Sequence, residues 1–500
     1  MAKIDEAFLN KAIKKGLDTI RSGEHLDLQD PSEIGKFIFG ILASGLELIP
    51  GYGDALAAVL NLFSSLIFQP KAAEDIWVKL FERIKELVDQ EIQEYHLETL
   101  KVKLAGLEAA MNNFSNLVEK AENGEDVPRL LYGSFSALNY ILTTSIFDFA
   151  SPNYAVASLP WFALAATLHL KLLGDGIQHG PKWGYSSDEV NFLQETFDKL
   201  TASGVVDAVP ISHEEIAAKH KQVVQDMIRD APKIGVPEET VEIWKAAIFD
   251  SSERAQEAIP SLNGQSYVAY AKEIYELGRR HVKPEWEGLS GDDKGAETGA
   301  TFRAKLQYDA DMTIHVLNYV DFWPFLSGKP LTDQAMTNLD REIYASRGRY
   351  DISVGGYSWR DQPFPAVPRK PNEQITAVYV GGITNVEMLQ MKYGDNWGTP
   401  YGSTAIDKAT TTEVNVKDGE YIYWVDAWFG HKLGCVQFWS NESKILREVG
   451  GQYMNASTKG ELWYADHQVT SVYGINYESH PPSGLEGIIV GFRPLYLKSD

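Results

Sequence analysis

Two neighbouring stretches, residues 129–149 and 156–173, are almost free of charge in a chain that carries 46 Lys and Arg and 69 Asp and Glu. The first bears only Arg129 and Asp148. The second reads Val156-Ala-Ser-Leu-Pro-Trp-Phe-Ala-Leu-Ala-Ala-Thr-Leu-His-Leu-Lys-Leu-Leu173 and is hydrophobic nearly all round. A helix without a polar stripe has two physical solutions: other helices surround it in a bundle, or it is a membrane span in waiting. Only the turn Ser151-Pro-Asn153 separates the two stretches, so they predict a helical hairpin. Each arm is close to the ~20 residues needed to cross a hydrocarbon core. His169 and Lys171 lie within the apolar run, and a lone His there reads as a hydrogen-bonded core residue rather than a ligand.

The flanking sequence is helical too. The block Phe37-Ile-Phe-Gly-Ile-Leu-Ala43 is broken at Pro50-Gly51 and resumes after Asp54. The Gly51-x-Gly53 pair lacks the third glycine and the preceding strand of a dinucleotide loop, so it reads as a turn. Ile76, Leu80, Ile84, Leu87, Val88 and Ile92 form one apolar stripe, and Leu100, Leu104, Leu107, Met111 and Phe114 a second. Residues 185–265 read as charged helices broken at Pro210, Pro232, Pro237 and Pro260. His213 and His220 lie seven apart, which is not the spacing of a metalloprotease helix. Further helices are expected over 267–282 and 312–322, with a Gly/Asp-rich loop over 290–295 between them.

Near residue 346 the helical period stops and short alternating runs begin, including Ile375-Thr-Ala-Val-Tyr-Val380, Glu413-Val-Asn-Val416, Tyr421-Ile-Tyr-Trp-Val425, Cys435-Val-Gln-Phe-Trp439 and Gly487-Ile-Ile-Val-Gly-Phe492. Trp359, Trp397, Trp424, Trp428, Trp439 and Trp463 all fall here, in an all-β domain of the sandwich, barrel or prism kind.

A formal net charge of −23 argues against a nucleic-acid partner and against simple attraction to anionic lipid. The single cysteine, Cys435, excludes an internal disulfide framework and any multi-cysteine zinc site, and reads as a buried strand residue. No apolar h-region appears in residues 1–21, so the expectation is a protein made soluble, whose membrane role, if any, comes later. No GxSxG elbow, phosphate loop or metal-ligand cluster is found, so neither an enzyme nor a cofactor or metal is expected.

Specific motifs now join. Leu142-Thr-Thr-Ser-Ile146, Asn153-Tyr154, Leu168-His-Leu170 and Trp183-Gly184 resemble, in order and spacing, the segment linking the fourth and fifth helices of the delta-endotoxins, the insecticidal crystal toxins. Thr313-Ile-His-Val-Leu317, Asp321, Phe325 and Leu339-Asp-Arg-Glu-Ile-Tyr344 resemble that family's last helix and its exit. Leu48-Ile-Pro-Gly-Tyr-Gly53 and Phe81-Glu-x-Ile-x-x-Leu87 resemble its early helices. The β domain is similar to jacalin-type prisms at Met391-x-Tyr393-Gly394, Asp418-Gly-Glu-Tyr-Ile422 and Ser483-Gly-Leu-Glu-Gly-Ile488. Pro482 and Glu486 stand where that fold's sugar site has Gly and Asp, so the resemblance does not carry the sugar site over.

The resemblance implies a multidomain α and β chain: a peripheral segment over 1–33, a pore-forming bundle over 34–346 around the central apolar helix, with inserted helices over 196–264, and one β-prism over 347–500 without a third domain. It implies a toxin whose prism meets a receptor protein or glycan on gut epithelium, and whose hairpin then enters the lipid, several copies assembling into a pore. Leu142, Thr143, Thr144, Asn153, Tyr154, Trp161, Leu168 and His169 would enter with that hairpin. Ser134, Ser136, Asn139, Thr143 and Thr144 would face the lumen, and Ala137 stands where the family often has an acid. Trp397, Tyr401, Trp428, His431, Tyr477 and His480 are the candidate receptor contacts. The alternative is a lectin-like defence or adhesion protein with the bundle as a stalk.

Overall fold

The computed structural model describes residues 127–150, 154–203, 213–246, 264–283, 294–348, 374–383, 385–402, 411–417, 419–429, 432–442, 445–449, 458–464, 466–475 and 484–495, with a few isolated positions and short strands besides. The expectations for residues 1–33, for the turn at Gly51 and for most of the two stripes over 76–114 lie outside the described residues. Internal contacts divide the chain into two units. One comprises Leu9–Arg280 and Ile314–Leu331; the other comprises Met1–Phe8, His281–Thr313 and Thr332–Asp500.

The first unit is helical. Its described helices are α1 (Pro128–Phe149), α2 (Ala155–His179), α3 (Ser187–Thr201), α4 (His213–Ile234) and α5 (Tyr267–Arg280). In the same numbering α6 (Lys294–Met312) belongs to the second unit, and α7 (Asn318–Phe322) returns to the first. Burial of α2 runs round its whole circumference: from Ala155 to Gly176 every residue but Trp161 is buried. It is therefore the surrounded core helix that its composition requires. The helix runs six residues beyond Leu173, through Gly174 and Gly176, before Gly180-Pro181 ends it. Glycine costs helix propensity, but here it permits close approach of neighbours. Likewise α4 continues through Pro232 for most of a turn, and Gly235 at φ 69° closes it, with the Val236 amide donating to the Ala231 carbonyl.

Helix α3 starts on a capping box. The Glu189 amide donates to Ser186 Oγ at 3.3 Å, and the Ser186 amide donates to Glu189 Oε2 at 2.6 Å. Leu193, Phe197 and Leu200 then form its buried stripe. Replacing Ser186 with alanine is expected to lower the unfolding free energy by about 1 kcal/mol, readable by denaturant melting, because a helix-end donor loses its partner.

Among the described residues the second unit carries three larger antiparallel sheets and two two-stranded ones. Its strands are β1 (Ala2–Ile4), β2 (Ile343–Gly348), β3 (Ser353–Val354), β4 (Tyr357–Ser358), β5 (Ile375–Gly381), β6 (Met388–Tyr393), β7 (Asn396–Trp397), β8 (Tyr401–Gly402), β9 (Thr411–Asn415), β10 (Ile422–Phe429), β11 (Leu433–Ser440), β12 (Ile445–Val449), β13 (Thr458–Leu462), β14 (His467–Ile475), β15 (Gly487–Pro494) and β16 (Leu497–Ser499). The larger sheets run β12-β11-β10-β13, β14-β15-β2 and β7-β6-β5-β9, with β8 also on β6, while β1 pairs with β16 and β3 with β4. The alternating runs near 375, 413, 421, 435 and 487 all became strands. Cys435 is buried in β11.

One end of this unit shows how three sheets close on each other. The Val386 amide donates to the Leu433 carbonyl at 2.8 Å, the Leu433 amide to the Leu485 carbonyl at 2.7 Å, and the Leu485 amide to the Val386 carbonyl at 2.7 Å. One segment from each sheet enters this ring, and all three side chains are fully buried. Three backbone donors meet three acceptors with none left over, which is a three-faced prism closed at its axis. Helix α6 packs on this unit through Leu306, which clusters with Tyr344, Ile475 and Ile489. Its start at Lys294 lies inside the stretch expected as a Gly/Asp-rich loop. A π-helical turn, Thr313–Leu317, follows it where helix 312–322 was expected to begin.

Candidate functional site

The hairpin α1–α2 is built from chemistry that favours burial on one side and hydrogen bonding within. Leu131, Phe135, Leu138, Leu142, Ile146 and Phe149 supply the apolar stripe of α1. Its polar residues Ser134, Ser136, Asn139, Thr143 and Thr144 are equally buried, none more than 2% exposed. Buried hydroxyls and amides must find partners. Thr143 Oγ1 donates to the Asn139 carbonyl at 2.7 Å and Thr144 Oγ1 to the Tyr140 carbonyl at 3.0 Å, both within the helix. Ser134 accepts from Trp244 Nε1 at 3.2 Å and from Asn113 Nδ2 at 2.8 Å.

At the middle of the hairpin a chain of four polar side chains crosses the core. Tyr267 on α5 meets His169 Nδ1 on α2 at 2.8 Å. His169 Nε2 meets Asn139 Oδ1 on α1 at 2.6 Å, and Asn139 Nδ2 meets His220 Nε2 on α4 at 2.8 Å. With the amide oriented this way, Tyr267 donates to a neutral His169, His169 donates to Asn139, and Asn139 donates to a neutral His220. Burial pushes His220 down to about 3, with the Lys219 charge adding to the effect. The His169–Asn139 bond joins the hairpin's two arms to each other. The bonds to Tyr267 and His220 join the hairpin to the rest of the unit. Asn139, His220 and Tyr267 were not among the eight expected hairpin site residues, because only the tertiary fold brings α4 and α5 to one point.

The hairpin turn is tied as well: Ser158 Oγ on α2 donates to the Phe149 carbonyl on α1 at 2.6 Å. Of the expected hairpin residues, Leu142, Thr143, Thr144, Tyr154, Leu168 and His169 are buried, Trp161 is half-buried, and Asn153 lies outside the described residues. A second charged element is also internal to the hairpin: Lys171 and Asp175 form a buried i,i+4 ion pair within α2. Among the described residues one helical run, Ala155–Trp183, is long and apolar enough to cross a membrane, and 94% of its most apolar window is buried.

The expected receptor contacts are dispersed. Trp397 on β7 is 39% exposed, its ring edge-on to Tyr379 with Lys392 Nζ 5.9 Å from its centroid. Tyr401 on β8 is half-buried and packs against the Leu306 cluster, and burial pushes its hydroxyl up to about 12. Trp428 is half-buried on β10, in a different sheet. His431, Tyr477 and His480 lie outside the described residues.

Residues 41–217 match the delta endotoxin N-terminal domain family. Over those residues the chain is similar to the delta-endotoxin N-terminal domain. That match spans the whole hairpin, α3 and the first residues of α4. The pesticidal crystal protein Cry8Ca of Bacillus thuringiensis subsp. japonensis is 28% identical over 183 residues, 36% of this chain and 16% of that protein. Cry1Aa of Bacillus thuringiensis subsp. sotto is 30% identical over 185 residues, again 36% of this chain and 19% of that protein. The aligned stretch thus spans under a fifth of these relatives. In fold the likeness is wider. The insecticidal crystal protein Cry7Ca1 of Bacillus thuringiensis superposes with a TM-score of 0.60 at 14% identity, over 98% of this chain and 76% of that one. PirB superposes with a TM-score of 0.56 at 14% identity, over 91% of this chain and 92% of that one. The sequence relationship thus covers the helical part, and the likeness in fold extends over the β sheets as well.

Proposed function

We propose that this chain is a pore-forming insecticidal toxin. The β unit meets a receptor on gut epithelium, α1 and α2 leave the bundle as a hairpin, and several copies line a pore. The reading is carried by α2, a mostly apolar helix buried almost all round and separated by five residues from a second helix nearly without charge. Helical arms keep their backbone hydrogen bonds internal, as lipid demands. The polar links that would travel with the hairpin, His169–Asn139 and Lys171–Asp175, lie within it. Among the described residues, the links that would break include His220 and Tyr267 to the central chain, Trp244 and Asn113 to Ser134, Glu189 to Tyr132, and Trp323 Nε1 to Thr167 Oγ1 at 2.8 Å.

Dye release from vesicles made with gut brush-border membrane, before and after trypsin, tests the reading. Leakage at nanomolar to micromolar protein is the expected outcome. Agglutination or glycan binding without leakage would instead favour an adhesion protein using the bundle as a stalk.

A further inference from the structure

We propose that the outer face of the β12-β11-β10-β13 sheet is a binding site for a neutral pyranose sugar of a surface glycan, seated on Trp463 and Trp424. The inference rests on the reading of the β unit as the receptor-binding half, and it names the ligand class and the residues.

The face follows from strand alternation. On β10, Val425, Ala427 and Phe429 are buried toward the core, so Trp424, Asp426 and Trp428 point the other way. Register places Trp439 opposite Trp424 and Gln437 opposite Asp426 on one side of β10, and Glu461 opposite Asp426 and Lys459 opposite Trp428 on the other. Trp463 follows β13 directly, one position beyond the Val425–Leu462 pair, and so lies across from Trp424. Four of the chain's tryptophans thus surround one aspartate.

Their geometry is a flat shelf. The Trp424 and Trp463 rings stack with centroids 4.9 Å apart and planes 5° from parallel. Trp463 remains 44% exposed although one of its faces is covered by Trp424, leaving the other face to solvent. The shelf is held rigid from below. Asp426, 3% exposed, accepts from Trp424 Nε1 at 2.8 Å and from Trp439 Nε1 at 3.0 Å. Lys459 Nζ lies 3.1 Å from the same carboxylate and 2.8 Å from Glu461 Oε1. A binding surface whose side chains are already fixed loses little entropy on binding.

That chemistry selects the occupant. A flat indole offers an apolar plate that fits the C–H face of a pyranose ring, while Glu461 and Lys459, both exposed at the rim, offer an acceptor and a donor to its hydroxyls. An anionic sugar would meet Glu461 and Asp426 against the single Lys459. A cationic ligand would meet the Lys459 ammonium, which already lies over the Trp428 ring and pairs with Asp426 and Glu461. Here the stacked rings are parallel and both oxygens of Asp426 are engaged.

The test uses the full chain on an array of neutral pyranosyl oligosaccharides with sialylated ones beside them. The tightest neutral glycan is then titrated by tryptophan fluorescence, with binding to brush-border vesicles measured in parallel. Trp463→Ala is expected to weaken the glycan at least about tenfold with an unchanged melting temperature, as loss of a stacked aromatic anchor does. Trp463→Phe should recover part of the loss, and Ile383→Ala, at an exposed residue between β5 and β6, should leave binding intact. No neutral glycan bound, preference for sialylated glycans, or full binding by Trp463→Ala would each overturn the site. If vesicle binding persists in those cases, only the sugar site falls. If the unmodified chain binds neither glycan nor vesicle, the receptor-binding reading falls with it.

Discussion

Gly174→Ala is expected to cost about 3 kcal/mol of stability, at the upper end for a single added methyl, or to prevent folding of the bundle outright. A Cβ at this position would stand 2.1 Å from the Leu326 carbonyl oxygen and 2.9 Å from its carbon. Both are backbone atoms, so no side chain can rotate away. Helix α2 would have to shift from the segment after α7, where the Trp323 indole reaches Thr167. Gly176 provides the contrast. A Cβ there meets the ring of Phe135 at 2.7 Å and a methyl of Leu193 at 2.8 Å, and these are side chains able to move. Gly176→Ala should therefore cost roughly 1 kcal/mol, the low end of overpacking penalties. Denaturant melts of the two variants measure the difference. Equal losses would mean that the α2 contact at Leu326 is not the tight one.

Acid should loosen the bundle through His220. Its folded-state value, held down to about 3 by burial, lies below the ordinary value of 6.5. The unfolded chain therefore binds a proton that the folded chain refuses, and stability rises with pH across that window. The sign is that the contribution is fully present above about 6.5 and is lost as pH falls toward 3. One pKa unit corresponds to about 1.4 kcal/mol, so the loss is about 2 kcal/mol by pH 5 and about 3 by pH 4. The structural reason is on the page: a proton on His220 Nε2 would face the Asn139 amide nitrogen, itself a donor, and turning that amide would abandon His169. Carboxylates titrate in part of the same range, so the diagnostic quantity is a difference. His220→Gln, compared with the native chain in melts from pH 7 to pH 4, should flatten the slope by those amounts. Parallel slopes would show that His220 takes no part.

Much of this architecture is legible in the sequence for physical reasons. Uniform apolarity between 156 and 173 leaves a helix no surface to offer water, and the structure encloses it. Period-two alternation marks five strands, since a half-buried strand must alternate. What escaped is tertiary. Gly174 and Gly176 look like a helix end, yet they lie inside α2 because neighbours approach there too closely for a side chain. The α6 start at Lys294 hides among Gly295 and Gly299, whose weak helix propensity is overridden by packing of Leu306 on the sheets. His169 reads as a core residue and His220 only as a histidine at the wrong spacing for a metal helix, and nothing local says that both end on Asn139. Trp424-x-Asp-x-Trp428 did carry a usable signal, a spacing of two with an acid between. Its partners Trp439 and Trp463 are brought alongside only by strand register.

The central claim is that α1 and α2 leave the bundle together. It is tested most directly by tying them down. A cysteine pair placed across α1 and α4, which pack against each other through Asn139 and His220, would hold the hairpin to its neighbours. The native Cys435 is buried in β11, so it offers no competing partner. Dye release from brush-border vesicles is then compared for the oxidised and reduced forms of the same preparation. Insertion of the hairpin predicts leakage from the reduced form and little or none from the oxidised form, restored by reductant. Equal leakage from both would contradict it.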